Sequence, residues 1–582
     1  MLTAEIGTVR KKWANRLPVA LLYPNVYPVA ISNLGFQLVY TQLNSFDELV
    51  CERFVYPQTG NTPMCSLESG RRLNNFPVVC CSVSFEEDFP RIAGMLAAGG
   101  IAPYADKRGD SVRPGEPLVF FGGAALIVNP EPLAPFADCI IIGEAESVLD
   151  ICMVHILQQE KMRRSHILLQ MASQIKGCYV PSLYRVTYGA EGRITAIAAR
   201  TSDVPQRVEK VIVRQPSQAG HSHLLSPEAE LGMFMVELGR GCSRGCRFCA
   251  AGYIYRPPRL WNSESIINAL STRPEQVDRI GLLGMEMASA ETLDDLADYL
   301  QRHKCALSFS SLRADNISEK VLSLLAGSQL KSVAIAPDGA SERLRQVINK
   351  NLEKADLLDA AIRLCKAGIF HLKLYVMLGL PTETFADLDE FADMVVSMHN
   401  ALLPVGRDRG RVTEITLSVN SFVPKPWTPF QYCSFGGLST RKAGMDKTAA
   451  QSVMALKQKI QYLRKIMAPI PNVRMKVDRP ERTLMQAVFS RADRRIAPLL
   501  LDIGIGRATF RQALKKHKIS SWQYAVRPRS GDELMCWDII DHGLRPGYLW
   551  MEYEKAMAGK TTSPCQTAVC RRCGICGQEV AS

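Results

Sequence analysis

Two short runs of cysteines hold the residues best suited to chemistry. The first, Cys242-Ser-Arg-Gly-Cys246-Arg-Phe-Cys249, places three thiols in one short loop. Three thiolates from one loop can hold three irons of a cubane iron–sulfur cluster and leave the fourth iron open to a substrate or cofactor. An open position of this kind separates catalytic metal sites from structural ones, by analogy with zinc. Gly241 and Gly245 allow the loop to curl, with backbone amides turned toward its contents. A partial zinc site or three unrelated thiols are the alternatives. The second run, Cys565-x4-Cys570-x2-Cys573-x2-Cys576, supplies four thiolates, enough to close a tetrahedral zinc site or fill a second cluster. A redox-sensitive disulfide pair is the other reading. Arg571 and Arg572 stand between these ligands and would offset thiolate charge.

Elements that position these groups follow from the hydrophobic pattern. The first 150 or so residues alternate strand-like runs (LPVALLYP, FPVVCCSVSF, PLVFFGGAA, CIIIGEAES) with helical stretches around Gly35–Leu43 and Phe89–Ala98. That alternation predicts a parallel sheet with crossover helices. Gly122-Gly123 directly follows a buried-looking strand, where a doubly wound sheet receives its ligand; a tight strand-to-helix turn explains the pair equally well. YVPSLYRVTYGAEGRITAIAAR reads as a β-hairpin. From Leu231 onward the strands RIGLLGM, ALSFSSL, SVAIAP, HLKLYVML and EITLSVNSF alternate with helices such as Glu291–Arg302 and Lys354–Ala367, predicting part of a parallel β/α barrel. Thr448–Met467 and Glu481–Arg494 have helical periodicity with basic residues on one side. The expected organisation is a Rossmann-like domain over 1–176, a hairpin connector and linker over 177–230, a TIM-like partial barrel over 231–435, a helical extension over 436–555 and a Cys-rich metal tail over 556–582.

Composition bounds the rest. The 582 residues, 47% hydrophobic and 22% charged, exclude a single small module and a largely disordered or fibrous chain. No apolar run reaches the roughly 20 residues that span a bilayer, and the N-terminal apolar stretch lacks a small-residue cleavage site, so a cytoplasmic location without membrane partners is expected. The formal charge of +13 suits an anionic partner such as RNA.

The cysteine loop, with Phe248 just before its last ligand, resembles the signature of the radical S-adenosylmethionine (SAM) superfamily. AIAPDGASERLRQVINKNL, KLYVMLGLPTET and SVNSFVPKPWTPFQ extend that resemblance across residues 231 to 430. VYPVAISNLG, GGAALIVNPEPLAPFADCIIIGEAE and the cysteine tail make the whole chain similar to a subgroup with an N-terminal cobalamin-binding-like domain. The resemblance implies a 4Fe-4S cluster on Cys242, Cys246 and Cys249 whose open iron chelates SAM. Reductive cleavage of SAM would then yield a 5'-deoxyadenosyl radical that takes hydrogen from substrate, with an electron from a flavodoxin- or ferredoxin-type partner. By the same resemblance Phe248 lies near the adenine, and Glu286 follows the strand that meets the SAM amino group. Ser310, Ser311 and Arg313 are candidates for the SAM carboxylate and ribose. The loop of Asp338, Gly339, Ser341, Glu342 and Arg343, and the turn of Gly379, Leu380 and Pro381, lie by the SAM. Ser341 also fits a helix cap and Glu342 a helix N-terminus. Lys425 and Trp427 are placed toward the substrate side, with packing at the barrel rim the favoured role for Trp427.

The first loop, Asn25-Val-Tyr27-Pro-Val-Ala-Ile-Ser32-Asn33-Leu-Gly35, departs from the Asp-x-His-x-x-Gly pattern that gives cobalt a histidine. Cobalamin, if bound, would have no lower histidine, with Ser82, Ser84, Gly122 and Gly123 around its nucleotide tail. Methylation, another radical modification, modification of tRNA or protein without cobalamin, and a non-catalytic iron–sulfur carrier or sensor all stay open, and the substrate is not legible.

Overall fold

A computed structural model describes residues 4–57, 63–159, 162–214, 216–286, 288–308, 312–328, 330–437 and 445–576, with side chains of 445–448 left aside. Six strands form the N-terminal sheet, in the order Leu49–Val55, Leu17–Tyr23, Val78–Ser82, Leu118–Gly122, Cys139–Ile141, Cys178–Tyr179. All pairings are parallel except the last. Val19, Ala20, Leu22, Val78 and Val79 are each fully buried, as expected of strands covered on both faces. The chain order reverses between Leu17–Tyr23 and Val78–Ser82, and crevices at such reversals bind ligands in open α/β sheets. Leu49–Val55 escapes sequence reading because Glu52 and Arg53 interrupt its apolar run. Both are buried, Arg53 by bonding Glu5 and Glu68 at 2.6 Å each.

The hairpin pairs Tyr184–Tyr188 with Ile194–Ala199. Beyond it, Phe234–Glu237, Arg279–Leu283 and Ala306–Ser308 form a parallel three-stranded stretch. Ser332–Asp338, His371–Leu378, Glu414–Ser421 and Val473–Val477 form a parallel four-stranded one. A parallel bridge between Leu312 and Ile335 joins the two, giving an open, partial barrel. The alternating burial of His371–Leu378 and Glu414–Ser421 places one face inward.

The segment expected to be a helical extension is only partly so. Its helices Met445–Met467 and Pro480–Arg491 form, but Val473–Val477 between them is the fourth strand of the barrel sheet. This strand alternates half-exposed and exposed residues, so it lacks the apolar run that marks a buried strand. Ile540–Asp541 likewise pairs with Val208–Glu209 in the linker. Helix Ala497–Gly504 returns to the N-terminal sheet and packs on helix Phe89–Ala98 so closely that a Cβ on Gly94 would lie 2.3 Å from the Gly504 carbonyl oxygen. Asn129 Nδ2 donates to the Ser490 and Ala492 carbonyls at 3.1 and 2.8 Å, and Arg494 pairs with Glu131 at 2.8 Å. The C-terminal segment thus ties the first sheet to the barrel.

Candidate functional site

The Cys242–Cys249 loop leaves the short strand Gly239–Arg240 and enters helix Ala251–Ile254. Gly241 and Gly245 take left-handed φ of 86° and 71°, and a Cβ at Gly241 would sit 2.5 Å from the Tyr255 carbonyl oxygen, so the tight curl requires glycine there. Burial pushes the thiols of Cys242, Cys246 and Cys249 up, Cys249 to about 12, and the three act on one another electrostatically. Among the described residues no three His, Cys, Asp or Glu side chains already stand together as a metal cage. Three thiols on one glycine-rich loop are nevertheless the donor set of a cluster with an open iron, and deprotonation on binding would release their protons.

Around Cys246 the structure gathers two of the candidate residues through a third that sequence reasoning missed. Lys350 Nζ reaches Asp338 Oδ2 at 2.6 Å, and Arg313 donates to the Lys350 carbonyl and, at 2.7 Å, to Asp315. Lys350 and Arg313 oppose the effect of burial on the Cys246 thiol, while Asp338, paired with Lys350, adds to it. Lys350 lies within the AIAPDGASERLRQVINKNL segment, but its pairing depends on Asp338 adopting a φ of 61° at the end of strand Ser332–Asp338, which no local pattern announces. Glu286 accepts from both Ser243 N at 2.9 Å and Ser243 Oγ at 2.5 Å, anchoring the cysteine loop from the second strand of the barrel. Phe248 is half-buried against the core. Ser310 and Ser311 lie outside the described residues.

Other candidates are engaged in packing. Ser341 is fully buried, caps helix Glu342–Val347 by accepting from Leu344 N at 3.1 Å, and bonds Asp387 at 2.5 Å. Glu342 receives its first-turn place, its backbone N donating to Glu390 at 2.6 Å, while Arg343 pairs with Asp387 at 2.7 Å. Gly379 adopts φ 82°, but a Cβ there would meet Leu456 at 2.7 Å and Gly436 at 3.3 Å, so its turn is covered by the C-terminal segment. The expectation that Lys425 faces a substrate is corrected. Lys425 forms a 2.5 Å ion pair with buried Glu86 of the N-terminal sheet region, and Trp427 is buried edge-on against His542 at 4.4 Å.

A cavity of about 570 Å³ opens between the two sheets. Ser82, Gly122 and Gly123 line it from the carboxyl ends of the first sheet, and Glu237, Arg240 and Met285 from the barrel side. Gly123, at φ 118°, turns so tightly under Val83 that a Cβ would lie 2.4 Å from the Val83 carbonyl oxygen. The glycine pair therefore makes the strand-to-helix turn and also leaves backbone facing the cavity. Arg240 meets Glu146 at 2.6 Å, Glu237 at 2.9 Å and Glu144 at 3.2 Å, giving the barrel-side wall an ionic network. No histidine lines this space among the described residues. Its volume is that of a small-ligand site.

The tail closes over the cysteine loop from the opposite side. Cys565 N donates to the Ser243 carbonyl at 2.7 Å, Thr562 N to Asn349 Oδ1 at 2.8 Å, and Asn349 Nδ2 to the Arg244 and Gly245 carbonyls at 3.3 Å each. Arg247, fully buried between two cysteines of the loop, donates to the Val347 carbonyl at 3.0 Å, the Lys560 carbonyl at 2.8 Å and Glu552 at 3.1 Å. Cys573 and Cys576 are buried, and Cys565 and Cys576 hold their sulfurs 3.9 Å apart. Apart from the Cys565–Cys576 approach, these contacts join positions 100 or more residues apart and carry no sequence signal.

Known proteins resemble parts of this chain. Residues 35–181 match the family model described as radical SAM proteins, N-terminal, and residues 236–395 match the radical SAM superfamily. An uncharacterised protein of Methanocaldococcus jannaschii is 25% identical over 506 residues, 86% of this chain and 94% of its own. Among solved structures, the cobalamin-dependent SAM radical enzyme OxsB with aqua-cobalamin bound is 15% identical, at a TM-score of 0.42 over 65% of this chain and 52% of its own. Coproporphyrinogen III oxidase (HemN) of Escherichia coli, a radical SAM enzyme, is 12% identical, at a TM-score of 0.25 over 40% of this chain and 51% of its own. The chain thus spans about half the length of these two structures. No helix among the described residues is long and apolar enough to cross a membrane. With the second family match beginning on the strand that feeds the three-cysteine loop and the first covering most of the cavity-bearing sheet, the chain belongs to the radical SAM superfamily.

Proposed function

We propose that this chain is an enzyme that binds a 4Fe-4S cluster through Cys242, Cys246 and Cys249 and cleaves SAM reductively to begin a radical modification, methylation being one form of it. The observation that carries this reading is the three-thiol loop, curled by Gly241 and Gly245 and held by Glu286 on Ser243. When bound, the cluster supplies the electron and the open iron that SAM cleavage needs, the electron coming from a flavodoxin- or ferredoxin-type donor. The chain's own task is to orient and enclose. Lys350 and Arg313 oppose the effect of burial on Cys246, Glu286 fixes the loop, and the cavity from Gly122 and Gly123 to Met285 receives an elongated second ligand between the sheets. A cobalamin nucleotide tail fits that cavity by the bare backbone at Gly123, and the lining offers cobalt no histidine.

The test is anaerobic reconstitution with iron and sulfide, then reduction in the presence of SAM, with 5'-deoxyadenosine measured for wild type and Cys246→Ala. Product from wild type alone supports the reading. A full and reducible cluster that yields no product in wild type overturns it in favour of an iron–sulfur carrier or sensor.

A further inference from the structure

Beyond this function, and independent of it, the tail carries four thiols of its own. We infer that Cys565, Cys570, Cys573 and Cys576 bind a single zinc ion as a closed tetrathiolate site, and that this ion fastens the tail onto the Cys242–Cys249 loop. The tail from 560 to 576 contains no helix or strand and exposes Val569, Ile575 being the one larger apolar side chain between its cysteines and only partly buried, yet it buries Cys573 to 2% and Cys576 to 7% exposure. A segment without a core keeps such a shape only with a cross-link or a metal.

The distances choose between those. All four thiols are free, and the 3.9 Å between the sulfurs of Cys565 and Cys576 is far beyond the roughly 2.05 Å of a disulfide. Four sulfurs at about 2.3 Å from one zinc ion stand about 3.8 Å from one another, close to the separation of the Cys565 and Cys576 sulfurs. In a cubane each thiolate takes a different iron, which sets the sulfurs wider apart than the edge of one tetrahedron. The irregular backbone lets the remaining thiols turn in as the ion binds.

Charge points the same way. A zinc tetrathiolate carries two negative charges, and two guanidiniums with no carboxylate partner among the described residues face the thiols. Arg572 Nε donates to Cys570 Sγ at 3.4 Å, its other bonds going to Ser563 Oγ and the Pro564 carbonyl. Arg256 is 5% exposed, bonds the Gly252 carbonyl and Tyr548 Oη, and acts electrostatically on Cys573 and Cys576. Buried cations are ordinarily paired, so buried Arg256, with the partly exposed Arg572 beside it, marks the place of an anionic centre among the thiols. Cys565 N on the Ser243 carbonyl and Arg545 N on the Cys573 carbonyl, at 2.7 and 2.8 Å, then transmit the fixed tail to the loop on one side and to the 543–548 turn on the other.

The experiment is metal analysis of the purified full-length chain together with zinc-edge X-ray absorption. The expected result is about one zinc per chain in an all-sulfur shell at about 2.3 Å, kept in Cys246→Ala and lost in Cys573→Ala. About eight irons per reconstituted chain, falling to about four in Cys573→Ala, would show a second cluster and overturn the inference. Equal zinc in wild type and Cys573→Ala would overturn it too. Should Cys573→Ala not fold, Cys570→Ser, at the more exposed position, gives the same reading. Because zinc is followed in Cys246→Ala as well, loss of SAM cleavage and loss of the tail site are seen separately.

Discussion

Arg247 stands between Cys246 and Cys249, and its pairing with Glu552 is the strongest single tie between the loop and the C-terminal segment. Side-chain exposures are 0% and 2%, and the separation is 3.1 Å. Arg247→Met keeps the bulk of the side chain but leaves a buried carboxylate without its guanidinium and the Val347 and Lys560 carbonyls without their donor. Removing one partner of such a pair costs about 3–5 kcal/mol, and part of that cost is the stranded charge rather than the attraction itself. Lys555 at 2.9 Å and Thr562 at 2.9 Å continue to satisfy Glu552, which places the expected loss near the lower figure, about 3 kcal/mol. Glu552→Gln gives a comparable loss through the uncompensated Arg247, and the double variant recovers part of it, because no charge is then left alone. Urea unfolding of the four proteins, followed by fluorescence, measures the coupling, expected above about 1 kcal/mol. Iron held per chain after reconstitution falls in Arg247→Met as the loop loses its anchor. Additive single losses, with coupling under about 0.3 kcal/mol, would refute the claim that this ion pair joins tail and loop.

Two further outcomes follow from local geometry. Gly122→Ala is tolerated, since its Cβ would meet only Ile141 at 3.8 Å, whereas Gly123→Ala, at φ 118° and 2.4 Å from the Val83 carbonyl oxygen, costs about 1–3 kcal/mol in thermal unfolding; the reverse order would contradict the turn described. Lys210 donates to the Ile254 and Arg256 carbonyls at 2.7 and 2.8 Å, and burial lowers its pKa from 10.5 to about 7. The unfolded chain then binds one more proton than the folded one between about pH 7 and 10.5, so stability rises with pH across that window, by up to a few kcal/mol, and Lys210→Met abolishes the rise in urea titrations at pH 7 and 9.5.

Legibility in the sequence tracked the range of the interaction. Continuous apolar runs announced Leu17–Tyr23, Val78–Ser82 and Leu118–Gly122, and the Ser341 cap was readable because donor and acceptor lie three residues apart. Leu49–Val55 stayed hidden because Arg53 is neutralised by Glu5 and Glu68 and Glu52 is hydrogen-bonded by Trp13 and Ser69, and Val473–Val477 because an edge strand with one exposed face has the composition of a linker. Lys425 looked like a substrate contact only while Glu86, 339 residues away, was not in view. The same limit governs the cysteine loop. Its ligand spacing and glycines are local and were readable, but most of the groups that hold it, among them Glu286, Asn349, Glu552 and Cys565, come from elsewhere in the chain. A loop that must open one metal position to a ligand cannot bury a core of its own around that position. Its rigidity has to be borrowed from distant segments, and the residues that lend it cannot be recognised until the fold has brought them together.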